Sequence, residues 1–278
     1  MVPSAPSPIN YWSCLNSHIC LPWLYGVGIY SYAPGGAALK LFLPEGGAQV
    51  KRSIMNKQDI PFKGILFDLD GTLIDSLPAV DRAWRAWAKK VGLDDEQVMQ
   101  IIHGRPARES VTELLAGACA EIIDQEVAWL EQFETHDTQG TVVLPGTLAF
   151  LHLLNKLKVP WAIVTSGTLP VASARIKATQ IAQPSVLITP ECVTYGKPHP
   201  EPFLLGAQTL GLRASDCIVF EDAPAGIKAG KLAGCTVIGI LSHHSAAQLQ
   251  EAQWHIPSLQ GVTVVANENG FLLQPCDS

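Results

Sequence analysis

From Gly64 onward, short unbroken apolar runs alternate with longer stretches in which apolar residues return every three or four positions. Gly64-Ile65-Leu66-Phe67, Trp161-Ala162-Ile163-Val164, Val186-Leu187-Ile188, Cys217-Ile218-Val219-Phe220 and Thr236 to Ile240 are the short runs, with a late one at Val262 to Val265. Their length and continuity predict strands buried on both faces. Pro170 to Gln180, Glu201 to Leu210 and Ala225 to Ala233 read as the helices between them. Repeated strand–helix units of this kind predict an α/β fold, a Rossmann-like parallel sheet covered by helices on both faces.

One segment breaks the alternation. Ala79-Val80-Ala83-Trp84-Trp87, Val98-Ile101-Ile102, Val111-Leu114-Leu115 and Ile122-Val127-Leu130 all carry helical spacing, with no strand between them. Residues 77–143 are therefore expected to form a small α-helical domain inserted after the first strand. Residues 55–76 and 144–278 then make up the core domain. Trp84, Trp87 and Trp129 sit at helical spacing and are read as packing within the insertion rather than as a stacking platform.

The first 54 residues differ from everything that follows. Glu45 is their sole acidic residue, and Pro and Gly are frequent. Ile19 to Leu39 lacks formal charge, but Pro22, Gly26, Gly28, Pro34, Gly35 and Gly36 interrupt it, which disfavours a spanning helix. No Lys or Arg precedes the apolar run, as a secretory signal would require. The leader is expected to be a disordered tail or an over-extended reading frame. A start at Met55 would leave about 224 residues, an ordinary length for a core with one insertion.

Composition narrows the function. The chain has 278 residues, 16% of them charged, and a formal net charge of -6, so no global field draws it to nucleic acid or to an anionic membrane. Seven cysteines are scattered without a C-x-x-C pair, which fits thiols buried and inert in a reducing, cytoplasmic setting. A monomer binding a small molecule is the expectation.

The candidate chemistry lies where such sheets bind ligands, at or just beyond the carboxyl ends of strands. The clusters are Asp68-Leu69-Asp70-Gly71-Thr72, Thr165-Ser166-Gly167, Gly196-Lys197-Pro198 and Glu221-Asp222. Taken singly, each also has an ordinary reading as a turn, a solvated charge or a helix start. Together they meet the demands of phosphoryl transfer, in which charge spread over equatorial oxygens must be positioned and neutralised. Asp68, Asp70, Glu221 and Asp222 would repel one another unless a divalent cation joined them, and all-oxygen donors favour Mg²⁺ over zinc. Lys197 offers a fixed positive charge, and Thr165 with the Ser166 amide offers neutral donors.

Phe67-Asp68-Leu69-Asp70-Gly71-Thr72-Leu73-Ile74-Asp75-Ser76 resembles the first signature of the haloacid dehalogenase superfamily. Ile163-Val164-Thr165-Ser166-Gly167, Gly196-Lys197-Pro198-His199-Pro200 and Val219 to Ile227 resemble the second, third and fourth, in family order. Within the superfamily the chain is similar to bacterial sugar and hexitol phosphatases and, more distantly, to fungal sugar and glycerol phosphatases. The resemblance implies an aspartyl-phosphate mechanism. Asp68 would be the nucleophile and Asp70 the acid and then the base, while Thr165 and Lys197 would hold phosphoryl oxygens. Mg²⁺ would sit on Asp68, the Asp70 carbonyl and Asp222, with Glu221 assisting through water. The insertion would be a cap, and His103, Arg105 and Arg108 would lie in its substrate-specificity loop. His243-His244 is read as a solvent-exposed loop. The expected activity is Mg²⁺-dependent hydrolysis of a sugar or polyol phosphate. A phosphomutase on the same scaffold, and a catalytically silent sugar-phosphate binder, are the alternatives; the presence of both Asp68 and Asp70 weighs against the second.

Overall fold

A computed structural model of the chain describes residues 59–102 and 106–276. The leader of residues 1–54 and the proposed start at Met55 lie outside the described residues.

Six parallel strands make the central sheet. They are β2 (Gly64–Phe67), β5 (Trp161–Val164), β6 (Leu187–Ile188), β7 (Cys217–Glu221), β8 (Thr236–Ile240) and β9 (Trp254–Ile256), in spatial order β6-β5-β2-β7-β8-β9. β2 is central, with Ile65 opposite Trp161 on one side and Ile218 on the other. All four of its residues are buried, as its unbroken apolar run requires. Successive side chains point to opposite faces. Phe67 therefore enters one core with Phe150, Ile163, Ala172 and Ile176, beneath α5 (Thr147–Leu157) and α6 (Leu169–Thr179). Leu66 enters the other with Val164, Phe203, Val219 and Ile227, beneath α7 (Glu201–Thr209) and α8 (Pro224–Leu232). Phe67 stacks on Phe220 at 5.3 Å and meets Phe150 edge-on at 6.2 Å, which fixes the sheet just below the point where Asp68 leaves it.

The insertion comprises α1 (Leu77–Val91), α2 (Asp95–Ile102), α3 (Ala107–Leu114) and α4 (Ala120–His136). It has its own core of Ala83, Trp84, Trp87, Val98, Val111 and Leu130, among others. Trp84 and Trp87 contact each other edge-on at 5.4 Å and are almost fully buried, which is the packing role read from their spacing. The chain leaves and returns through a two-stranded antiparallel ribbon, β3 (Ile74–Asp75) with β4 (Val142–Val143). Both crossings of the insertion therefore emerge beside the Asp68–Asp70 turn.

The structure adds elements that the pattern did not predict, and it moves one. The late strand β10 (Val262–Asn267) does not extend the parallel sheet. It joins β1 (Ile60–Phe62) and β11 (Gly270–Pro275) in an antiparallel sheet of order β1-β11-β10. Asn267 pairs with Gly270, so Glu268-Asn269 is a two-residue hairpin turn. Among the described cysteines, Cys217 and Cys235 are buried as expected, but Cys119, Cys192 and Cys276 are exposed. These three lie on turns and ends where no core is available to cover them. No helix among the described residues is long and apolar enough to cross a membrane.

Candidate active site

A cavity of about 780 Å³ lies between the carboxyl ends of β2, β5 and β7 and the facing surfaces of α1, α3 and α4. Asp68, Asp70, Thr165, Ser166, Lys197, Glu221, Asp222 and Arg108 all line it. Every candidate from the core that the sequence offered is thus brought to one place. His103 and Arg105 lie outside the described residues.

Asp68 is the first residue beyond β2. Its N–H donates to the Phe220 carbonyl at 3.0 Å, so the backbone is still held to β7 where the side chain turns into the cavity. The chain then reverses tightly. Gly71 has φ +86°, and a Cβ there would stand 2.1 Å from Asp222 Oδ2, so conformation and space both demand glycine. On the neighbouring strand, Glu221 ends β7 and Asp222 is the first residue beyond it. Gly226, in the first turn of α8, leaves room for Glu221, whose Oε1 would lie 1.6 Å from an added Cβ.

Lys197 knits these acids together. Its Nζ donates to Asp68 Oδ1 at 2.6 Å and to Glu221 Oε1 at 2.8 Å, while the Phe203 ring lies 5.0 Å below it. Glu221 Oε2 accepts the Ala223 N–H at 2.7 Å, so both of its oxygens are engaged. All four groups (Asp68, Lys197, Glu221, Asp222) are buried. Burial pushes the Asp68 carboxyl up to about 7 against the pull of Lys197, with Glu221 and Asp70 adding repulsion. Burial likewise raises Glu221 and Asp222 above the usual carboxylate range. Burial works against the Lys197 charge, but Asp68 and Glu221 more than reverse that, and its ammonium is held firmly protonated.

Oxygen atoms of Asp68, Glu221 and Asp222 all lie within 4.8 Å of one another. Three buried carboxylates against one lysine leave the cluster with more acidic groups than fixed positive charge to balance them. An all-oxygen donor set of this kind fits a hard divalent cation, so the cluster can hold one.

Asp70 faces the same cavity but takes no part in that cluster. Its Oδ1 accepts from Ser76 Oγ at 2.6 Å, and its Oδ2 lies 2.9 Å from Arg175 Nη1. Thr165 is buried and its Oγ1 accepts the Gly167 N–H at 3.0 Å, which shapes the turn after β5; Ser166 is exposed to the cavity. Arg108 also lines the cavity, from α3, while its guanidinium pairs with Asp124.

Several cavity residues had no place in the sequence reading. Arg175 and Glu134 form an ion pair of 2.6 Å above Asp70. A charge at position 175 within the apolar stripe Val171-Ala172-Arg175-Ile176 was the available signal, since a core-facing Arg needs a buried partner. Ser242 Oγ donates to the Gly71 carbonyl at 2.6 Å and fastens the nucleophile turn to the segment after β8. His243 is exposed, as read, and His244 half-buried, but the sequence reading did not place this loop at the site. His243 Nδ1 lies 3.6 Å from Asp222 Oδ2 and its Nε2 3.5 Å from Asp75 Oδ1, and both histidines line the cavity. Contact with Asp222 raises the His243 pKa despite partial burial. The β8 carboxyl end carries this loop to the site, a placement set by sheet order rather than by local sequence.

Comparison with known proteins agrees with this arrangement. The family described as haloacid dehalogenase-like hydrolase matches residues 62–234. The chain is 48% identical over 211 residues to hexitol phosphatase A of Escherichia coli (strain K12), covering 76% of this chain and 98% of that protein. It is 37% identical over 197 residues to glycerol-1-phosphate phosphohydrolase 1 of Saccharomyces cerevisiae, covering 67% and 77%. Among solved structures, a hydrolase from Pseudomonas syringae superposes with a TM-score of 0.63 at 25% identity, covering 71% of this chain and 94% of that one.

Proposed function

Since the chain belongs to the haloacid dehalogenase-like hydrolases, we propose that it hydrolyses sugar or polyol monophosphates with Mg²⁺, through a phosphoryl group carried on Asp68. At the coarser level it is a phosphatase of small phosphorylated metabolites, built around an Asp-based site. The observation that carries the finer reading is the buried cluster itself. One carboxylate at a strand end, Asp68, shares a lysine with a second and lies against a third.

Asp68 Oδ attacks phosphorus and the bond to the ester oxygen breaks. Asp70, entering this step protonated on the Oδ1 that Ser76 otherwise occupies and still held at Oδ2 by Arg175, gives its proton to that departing oxygen, so a neutral alcohol leaves. Water then attacks the acyl phosphate, Asp70 takes the water proton, and the bond between phosphorus and Asp68 breaks to release inorganic phosphate. A carboxylate nucleophile divides one difficult displacement into two easier ones. Lys197 and Thr165 hold phosphoryl oxygens, and the Ser166 amide adds a donor. Asp68 and Asp222, with the Asp70 carbonyl that the family resemblance implies, would hold Mg²⁺, which would supply charge stabilisation for the phosphoryl oxygens. Glu221 acts mainly on Lys197, because its oxygens are taken by Nζ and by the Ala223 N–H.

Residues 77–143 act as a cap domain on the core of 55–76 and 144–278, excluding water and reading the leaving group. Arg108 reaches the leaving group from α3, and His103 and Arg105 belong to the same stretch of chain. The polyol preference rests on the relatives, whose names specify hexitol and glycerol phosphates. The proposed working form is a monomer. Exposed free cysteines fit a cytoplasmic enzyme.

Release of inorganic phosphate from a panel of phosphate monoesters, with Mg²⁺ and with EDTA, tests the reading. Sustained release from polyol or sugar monophosphates, silenced by EDTA, is expected. Interconversion of two sugar phosphates without net release would favour the phosphomutase instead.

A further inference from the structure

Arg175 stands on α6 with its side chain almost wholly buried. It reaches two carboxylates from different parts of the fold: Nη1 to Asp70 Oδ2 at 2.9 Å and Nη2 to Glu134 Oε2 at 2.6 Å. Asp70 belongs to the turn after β2, and Glu134 to the last turns of α4, which packs against α6. With Ser76 Oγ on Asp70 Oδ1, both oxygens of Asp70 are oriented by side-chain donors. Ser76 is the residue before α1, where a hydroxyl ordinarily caps the helix; here it makes no such bond and serves Asp70 instead.

The two Nη atoms carry the carboxylate contacts of the guanidinium. Its Nε is buried with no hydrogen-bond partner among the described residues. Glu134 is half-buried, and desolvation raises its pKa against the opposing pull of Arg175. The ion pair thus joins the helical insertion to the core at the wall of the cavity.

We infer that Arg175 is a positioning residue for Asp70, fixed in turn by Glu134 of the insertion, so that the seating of the insertion determines whether the Asp70 carboxyl is aimed at the leaving oxygen. The inference rests on the proposed role of Asp70 as proton donor. Binding of the insertion's α4 surface and alignment of the proton donor then become one event. An alkoxide leaving group needs that proton, whereas a nitrophenolate departs without it. General acid help of this kind contributes about 10²- to 10⁴-fold, so misaiming Asp70 has a large and selective effect.

The test is rapid-quench measurement of phosphoenzyme formation, with Mg²⁺, from a hexitol monophosphate and from 4-nitrophenyl phosphate. The quantity read is the ratio of the two rates, hexitol over nitrophenyl. Arg175→Met is expected to lower this ratio at least tenfold, and Arg175→Lys to recover part of it. Glu134→Gln, which keeps shape and hydrogen bonding, is expected to lower it about threefold; it also serves if Arg175→Met does not fold. A ratio unchanged in Glu134→Gln and in any folded Arg175 variant, whatever the loss in absolute rate, overturns the positioning role. Absence of a phosphoenzyme in the wild type would overturn the aspartyl-phosphate reading first, and this inference with it.

Discussion

Lys197 Nζ lies 2.6 Å from Asp68 Oδ1 and 2.8 Å from Glu221 Oε1, so one buried ammonium bridges the end of β2 and the end of β7. These residues are far apart in sequence and adjacent in the sheet. Replacing Lys197 by Met should leave two buried carboxylates without a counter-charge. That costs up to about 3 kcal/mol of stability, the lower end of what breaking a buried pair brings, because the acids can recover part by taking up protons. Turnover should fall about 10²- to 10³-fold, as for loss of one fixed donor to transition-state charge. Urea unfolding and steady-state kinetics of Lys197→Met check both. A variant as stable and as active as wild type would contradict the shared-lysine arrangement.

Gly226 should resist even the smallest substitution. Alanine ordinarily improves a helix over glycine by about 1 kcal/mol. Here an added Cβ would meet Glu221 Oε1 at 1.6 Å, and the carboxylate must move off Lys197 or α8 must shift. Gly226→Ala is therefore expected to lose stability and activity together, read by thermal melting and phosphate release. A gain in melting temperature would show that Glu221 does not need that space.

The raised carboxyl pKa values give a pH dependence with a definite sign. Asp68 is pushed up to about 7 by burial, and Glu221 and Asp222 are raised for the same first reason. An acid whose folded value exceeds its unfolded value holds its proton better in the fold. Its contribution is complete below the unfolded value, about 4, and is lost as pH rises through the folded one. Metal-free protein should lose stability from this cluster between pH 5.5 and 8. Mg²⁺ displaces those protons, so its stabilisation should be larger at pH 8 than at pH 5.5. Melting curves with EDTA and with Mg²⁺ at both values test this, and an equal Mg²⁺ effect at both would contradict it.

Arg108 pairs with exposed Asp124 on the insertion and faces the cavity. An exposed pair contributes little to stability. Arg108→Ala should melt within a few degrees of wild type while kcat/KM for a polyol phosphate falls about tenfold. That is the scale of one lost charged hydrogen bond of about 1.5 kcal/mol. A small chromogenic ester should be less affected. Equal losses on both substrates would remove Arg108 from substrate recognition.

How much of this was legible before the structure varies by element. β2, β5, β7 and β8 were readable because strands covered on both faces must be apolar throughout, and Ile65-Leu66-Phe67 or Ile218-Val219-Phe220 admit little else. The acidic cluster followed, since such sheets place ligands at strand ends. The antiparallel sheet was missed because β1 has only three residues and β10 lies at the end of a parallel pattern. The Asn269-Gly270 step between apolar runs was the hairpin signal within it. Helix α5 also went unnamed, although Phe150, Leu151 and Leu154 carry its buried face. Arg175, Glu134 and His243 could not be joined to Asp70 or Asp222 from sequence. Their meeting depends on α4 packing against α6 and on β8 lying beside β7, which are long-range facts.

The most direct measurement is to stop wild-type enzyme with substrate and Mg²⁺ during turnover, reduce the acyl phosphate with borohydride, and map the modified residue by peptide mass. The account predicts modification at residue 68 alone, lost in Asp68→Asn together with phosphate release. Modification at another position, or full turnover in Asp68→Asn, would contradict it.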